Sequence, residues 1–222
     1  MVAQLLNGMR LAVARAMHPS RQERALRMVR AHAGAKTLLV ICHGNICRSP
    51  FAAAVLDYRV KPRGMRALSA GLIGPGRPAP AVARAAALAR GIDLSAHRSQ
   101  LVTPALLAQV DLVIVMDARQ RAVLHHDYGV RHDHILVLGD LDPGPIPGRG
   151  IADPYDRPLA EFEEVYTRIE RCLAVLVSAF GELAQTRRPS PAKRAAIQRA
   201  AEPTSARISL MPGLQSSHSN SS

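Results

Sequence analysis

The chain of 222 residues has no tryptophan, three phenylalanines, four tyrosines and three cysteines. With so few aromatics, its centre lacks the interleaved aromatic and basic pattern that stacks bases, so no nucleic-acid partner is expected for the core. Three cysteines, two of them in one short loop, suit a reducing compartment better than a disulfide framework. Cys42 and Cys47 also lack the close pairing of a zinc site. No uninterrupted apolar run is long enough for a membrane span, and Arg10 and Arg15 break any secretory core near the start. No Gly-x-Gly-x-x-Gly follows the first strand-like run, which removes a dinucleotide-binding reading, and there is no internal repeat. Acid is scarce at both ends: residues 1–36 hold seven Lys/Arg against one acid and residues 185–222 hold six against one. The formal net charge of +12 therefore leaves the centre at only +1, and the basic excess says little about a substrate.

What the chain does have is concentrated near residue 40. Thr37-Leu38-Leu39-Val40-Ile41 is a continuous apolar and β-branched run, the pattern of a strand buried within a parallel sheet. Cys42-His43-Gly44-Asn45-Ile46-Cys47-Arg48-Ser49-Pro50 follows it. Proline suits the first turn of a helix, where the N–H it lacks would be unpaired, and Ser49 is placed to cap that helix. Cys42 to Arg48 is thus expected to form a loop between strand end and helix start. There, backbone N–H groups and the positive end of a helix dipole converge on an anion.

Those residue types support phosphoryl transfer. A free thiol has a pKa of about 8.5, and a helix N-terminus and an arginine both favour the nucleophilic thiolate, which points to Cys42. The planar guanidinium of Arg48 offers paired donors that match two phosphate oxygens. Gly44 permits close backbone approach, and Asn45 tolerates the left-handed conformation that a cradle of converging N–H groups needs. Ser49 is placed to donate a hydrogen bond to the Cys42 sulfur. A covalent mechanism also needs a proton donor for the leaving oxygen. Asp153, in Ile151-Ala152-Asp153-Pro154-Tyr155, is the candidate, with Tyr155 as an aromatic wall for a flat substrate ring.

Strand-like and helical runs alternate through the centre. Helices are expected at about 50–60, 80–91, 118–127 and 159–184, and strands at 67–70, 111–116 and 134–139. The alternation predicts an α/β three-layer sandwich around a central four-stranded parallel sheet, with the loop after the first strand at the carboxyl end of the sheet, where such folds bind ligands. The length suits one good core over 37–184. Residues 1–36 form a basic extension that can make amphipathic helices, with Leu5, Met9 and Val13 on one face. It reads as a surface helix in weak contact with an anionic membrane or nucleic acid, as an arginine-rich, acid-poor targeting peptide, or as upstream sequence from an early start codon. Residues 185–222 read as a basic, disordered tail.

Taken together, Cys-x5-Arg-Ser near the start and a distant Asp-Pro resemble the low-molecular-weight protein tyrosine phosphatase family. The resemblance continues through Ser69-Ala70-Gly71, His97, Asp111 to Asp117, and Phe162 to Tyr166, covering about residues 37–184. It implies that Cys42 is the nucleophile, Arg48 the phosphate binder and Asp153 the general acid. His43, Gly44, Asn45, Ile46, Cys47, Ser49 and Tyr155 would contact or shape the site for phosphate and substrate. It further implies a Cys47 able to form a reversible disulfide with Cys42, no cofactor and no metal, and a cytoplasmic enzyme. Its substrates would be phosphotyrosine proteins, with a bacterial tyrosine kinase as one partner. Three positions depart from the pattern: Ala53 stands where glutamate often follows the loop, Gln100 where arginine is usual, and Asp156 where many members carry a second aromatic.

Three rival readings share the loop. Thioredoxin-coupled arsenate reductases of this fold need two more mid-chain cysteines, and the single remaining one, Cys172, lies on an apolar helical stripe with Phe162, Val165, Ile169, Leu173 and Leu176. Phosphoarginine phosphatases carry threonine where Ile46 stands, and a branched apolar side chain there favours a phosphotyrosine ring. A non-catalytic phosphate-binding module would be expected to have lost Cys42, Arg48 or Asp153. His125, His126, His132 and His134 read as a histidine-rich surface rather than a metal site, and Asp140 and Asp142 as turn residues before a Pro/Gly-rich loop.

Overall fold

The computed structural model describes residues 2–144 and 146–186. In order, the elements are α1 (Val2–Ala16), α2 (His18–Ala31), β1 (Thr37–Cys42), α3 (Arg48–Val60), β2 (Arg66–Gly71), α4 (Ala81–Leu88), α5 (Pro104–Leu107), β3 (Leu112–Val115), α6 (Ala118–Tyr128), β4 (Ile135–Val137) and α7 (Leu159–Thr186). Of the tail expected over 185–222, only the first two residues are described, and they continue α7.

β1 is buried along its whole length because both of its faces are covered. It pairs in parallel with β2 on one side and β3 on the other, and β4 adds beyond β3, giving the order β2-β1-β3-β4. Side chains alternate across a strand, so the apolar run divides between two cores. Leu38, Val40 and Cys42 join Leu112, Ile114 and Leu136 beneath α2, α3, α4 and α7. Leu39 and Ile41 join Val113, Val115 and Ile135 beneath α5 and α6. This is the expected three-layer α/β sandwich. With β1 flanked by β2 and β3, the loop leaving its carboxyl end lies at the switch point of the sheet.

The observed elements depart from the expected ones chiefly at their ends and in the short α5, which lies outside the expected helices. The strand expected over 134–139 covers Ile135–Val137 and then passes into a 3-10 turn over Leu138–Leu141. The helix after the loop begins at Arg48, with Cys47 at the cap position and no side chain capping it. Ser49 is therefore not the cap: it lies within the first turn, and its hydroxyl is drawn inward to the Cys42 sulfur. Cys172 is fully buried in the first core, and burial, followed by the neighbouring Asp142, pushes its thiol up to about 12. In the N-terminal segment, α2 buries Ala25 and Val29 in that same core, while Met9, Val13 and Met17 stay exposed.

Asp140 and Asp142 do more than make a turn. Asp142 accepts the Gly144 N–H at 3.2 Å, as a turn residue would, but it is also completely buried. α7 brings two arginines to it: Arg168 Nε at 2.8 Å, and Arg171 through Nε at 2.7 Å and Nη2 at 2.9 Å. Asp140 forms a two-pronged pair with Arg149 at 2.8 and 2.7 Å.

Burial alone would push the Asp142 carboxyl up, but hydrogen bonds from Arg171 and Arg168 hold it below the ordinary carboxylate value. The sign of the linkage follows: its stabilisation is complete above about pH 4 and is lost as pH falls through the lowered folded-state value. Asp142→Ala leaves the buried Arg168 without its counter-charge and is expected to cost about 3–5 kcal/mol in urea unfolding at neutral pH. The gap from the wild type should narrow in acid, and a gap that stays constant down to the acid limit would contradict this account.

Candidate active site

The loop after β1 turns through Asn45, whose φ of 51° is left-handed. Asn45 is fully buried, and every polar group of its side chain is used. Its Nδ2 donates to Ser49 Oγ and to Ser69 Oγ, each at 2.9 Å, and its Oδ1 accepts the Gln100 N–H at 2.9 Å. His97 Nε2 donates to the Asn45 carbonyl at 2.7 Å. From behind, Tyr166 on α7 donates its hydroxyl to the Cys47 carbonyl at 3.1 Å, with its ring stacked 3.9 Å from Phe51. These contacts hold the loop open. None of the backbone N–H groups of Gly44, Asn45, Ile46 and Cys47 is claimed by a protein acceptor among the described residues.

Cys42 closes β1 at the base of this loop, and its sulfur accepts a hydrogen bond from Ser49 Oγ at 3.0 Å. Arg48 is buried at the start of α3, at the positive end of the helix dipole. Its Nη1 donates to the Ile151 carbonyl at 3.0 Å and its Nη2 pairs with Asp153, residues more than a hundred positions away in sequence. Arg48 Nε is buried and has no acceptor among the described residues. Cys42, Cys47 and Cys172 are buried and form no disulfide with one another. Burial, then the neighbouring Cys42 and Asp153, pushes the Cys47 thiol up to about 12, so it stays protonated at neutral pH.

A cavity of about 300 Å³ opens over the loop. Cys42, His43, Gly44, Ile46 and Cys47 line it, Asp153 and Tyr155 reach it from the later loop, and Ile73 and Arg77 complete it. Anion donors and a thiol thus lie together with apolar side chains and an aromatic ring. Asn45 and Ser49, expected to contact or shape the site, are fully buried and do not line the cavity; their side chains act on the loop itself.

The sequence matches the family model described as low molecular weight phosphotyrosine protein phosphatase over residues 37–187. The chain belongs to that family. It is 38% identical over 137 residues to a probable low molecular weight protein-tyrosine-phosphatase, EpsP, of Ralstonia nicotianae, an alignment covering 61% of this chain and 90% of that relative. Among solved structures it resembles Vibrio vulnificus Wzb in complex with benzylphosphonate, at 28% identity and a TM-score of 0.58, covering 64% of this chain and 97% of that one. It also resembles the YwlE arginine phosphatase of Geobacillus stearothermophilus, at 24% identity and a TM-score of 0.63, covering 69% and 98%, a likeness of fold alone.

Within this phosphatase family, the three departures have local consequences. Gln100 still supports the loop, since its N–H bonds Asn45 and its Nε2 bonds the Ser69 carbonyl at 2.7 Å. Ala53 is buried in the first core, so the change there is one of packing. Asp156 adopts φ 60°, and Ile73 rather than a second aromatic completes the apolar lining around Tyr155. The histidines make no such convergence. His125 stacks on His132 at 3.8 Å and bonds the Val130 carbonyl, and no group of three or more His, Cys, Asp or Glu among the described residues is arranged to hold a metal ion.

Arg77 carries no sequence signal for the site, and Gly71 enters the sequence reading only as part of the Ser69-Ala70-Gly71 stretch. Arg77 donates to the Gly44 carbonyl at 3.0 Å and to the Gly74 carbonyl at 3.0 Å, placing a fixed cation beside the cavity. The Gly-Pro-Gly-Arg sequence around it marks a turn but not where the arginine folds back. Gly71, at the end of β2, is needed because a Cβ there would come within 2.9 Å of Asn45 N and Cβ and of the Gly44 carbonyl carbon. That neighbour is mostly loop backbone and cannot swing away. Gly71→Ala should therefore leave the protein folded by circular dichroism but lower kcat on an aryl phosphate by about 10- to 100-fold through displacement of the loop. Wild-type kcat in a folded variant would refute this role.

Proposed function

We propose that the protein hydrolyses phosphotyrosine in proteins by two-step phosphoryl transfer through a phosphocysteine at Cys42. The observation that carries the reading is the junction of Arg48 with Asp153 beside the Cys42 cavity, because it joins the loop cation to the one acid suited to leaving-group protonation. An entering phosphoryl group competes with Asp153 for the guanidinium. Arg48 Nε, which has no protein acceptor among the described residues, gives it a second donor. Cys42 Sγ attacks phosphorus and the bond to the tyrosyl oxygen breaks, with Asp153 delivering a proton to that oxygen. Water then attacks phosphorus, Asp153 takes its proton, and the S–P bond breaks to return the thiolate and release phosphate. Ser49 supports the departing sulfur from 3.0 Å.

Hydrolysis of p-nitrophenyl phosphate tests the mechanism. Cys42→Ser should lose at least about 10³-fold in kcat, and Asp153→Ala about 10²-fold in kcat/KM on a substrate with a poorer leaving group, phenyl phosphate. Undiminished turnover in the serine variant would sink the covalent step.

Substrate class rests on Ile46, Ile73 and Tyr155, which give the cavity apolar and aromatic sides suited to a flat ring. Phosphotyrosyl peptides should be preferred over phosphoarginyl peptides, and Ile46→Thr should narrow that preference by about tenfold. An arginyl preference in the wild type would reverse the choice. The arsenate-reductase alternative is disfavoured because the only cysteine outside the loop, Cys172, is sealed in the core. We assign the reaction to the cytoplasm, where the Cys42 thiol is kept reduced, and a bacterial tyrosine kinase is the candidate protein substrate on the family resemblance. Among the described residues no helix is long and apolar enough to cross a membrane.

A further inference from the structure

Residues 1–36 precede the span that matches the family, yet their side chains grip the loop that carries the acid. His18, on α2 and nearly buried, donates through Nε2 to the Asp142 carbonyl at 2.7 Å. Gln22, one turn on, donates to the same carbonyl at 3.2 Å. Arg15, at the end of α1, donates through Nε to the Ile146 carbonyl at 3.2 Å. All three act on backbone oxygens of a Pro/Gly-rich segment that begins at Asp142 and, among its described residues, has no helix or strand of its own up to Gly150.

The same segment is held from the other side by α7. Arg168 fixes the Asp142 carboxylate at 2.8 Å and also donates to the Gly150 carbonyl at 2.8 Å and the Gly148 carbonyl at 2.6 Å. Ile151 then bonds Met116 through its N–H at 2.9 Å and Arg48 through its carbonyl, and Asp153 follows two residues later. A contiguous set of hydrogen bonds thus runs from α2 through Asp142 and Arg168 to the residues that aim Asp153. Chain without secondary structure samples many positions unless its carbonyls are tied down, and here the N-terminal helices supply three of the ties.

We infer that Arg15, His18 and Gln22 are positioning residues for the general acid, so that the N-terminal helices work as a brace for the acid loop. The inference rests on Asp153 acting as the acid. A misplaced acid has a signature that general loosening lacks, because protonation matters more for a poor leaving group than for a good one. In the full chain, His18→Ala combined with Gln22→Ala should lower kcat/KM for phenyl phosphate by about tenfold and for p-nitrophenyl phosphate by less than about twofold. Asp153→Ala should show the same split, more steeply. Gln22→Met, which keeps the side-chain length and removes the donor, gives a milder version of the split and serves if the double variant does not fold. An equal fall on both substrates, or no fall on either, in a folded variant would overturn the brace. Absence of the split in Asp153→Ala itself would overturn the reading of Asp153 and the brace with it, whereas a split in Asp153→Ala alone overturns only the brace.

Discussion

A guanidinium buried in the first turn of a helix needs acceptors, and among the described residues Arg48 finds them in a segment more than a hundred residues further along the chain. That requirement organises the site. The Ile151 carbonyl and the Asp153 carboxylate must both come to the mouth of the phosphate loop, or a charge stays buried without compensation, at a cost of several kcal/mol. The interaction that brings the acid to the thiol is also one that satisfies the arginine. Because Nε has no protein acceptor among the described residues, the arrangement keeps a buried donor for the phosphoryl group proposed to bind there.

The loop itself is held open by a second constraint. An anion cradle made of backbone N–H groups works only if no protein carbonyl takes those groups first. Asn45 meets this condition by entering a left-handed conformation and then spending its side chain on Ser49, Ser69 and the Gln100 N–H. Gly71 leaves the space in which that conformation fits against β2. The same asparagine orients Ser49 toward the Cys42 sulfur, so loop shape and support of the thiol share one network. Behind it, β1 buried on both faces gives Cys42 a rigid base, as expected for a strand at the centre of a parallel sheet.

At the far end of the acid loop, the Asp142 carboxylate pairs with Arg168 and Arg171 in place of any regular secondary structure. Buried ion pairs of this kind add little net stability compared with a well-packed apolar cluster, but breaking one is costly, so they fix a geometry. A Pro/Gly-rich segment gains a defined path that its own sequence could not impose, and α2 packs against the outside of that path.

The sequence by itself determined the layered fold and named the candidate reactive groups. Apolar β-branched runs alternating with amphipathic ones bury their surfaces as a covered parallel sheet, and Cys42, Arg48 and Asp153 stand out as candidates once the whole loop and the later Asp-Pro are read together with the family resemblance. Local signals failed where the deciding partner is remote. Ser49 next to Pro50 looked like a cap, but the sulfur of Cys42 competes for its hydroxyl; Asp142 before Pro143 looked like a turn, but two arginines of α7 meet its carboxylate. The same holds for Arg77 folding back onto Gly44, for Gln100 supporting Asn45, and for His18 and Gln22 reaching the acid loop. Each is a contact between segments distant in sequence, set by how the helices pack on the sheet. Side-chain chemistry is written residue by residue, whereas the distance between two side chains exists only once the chain has folded.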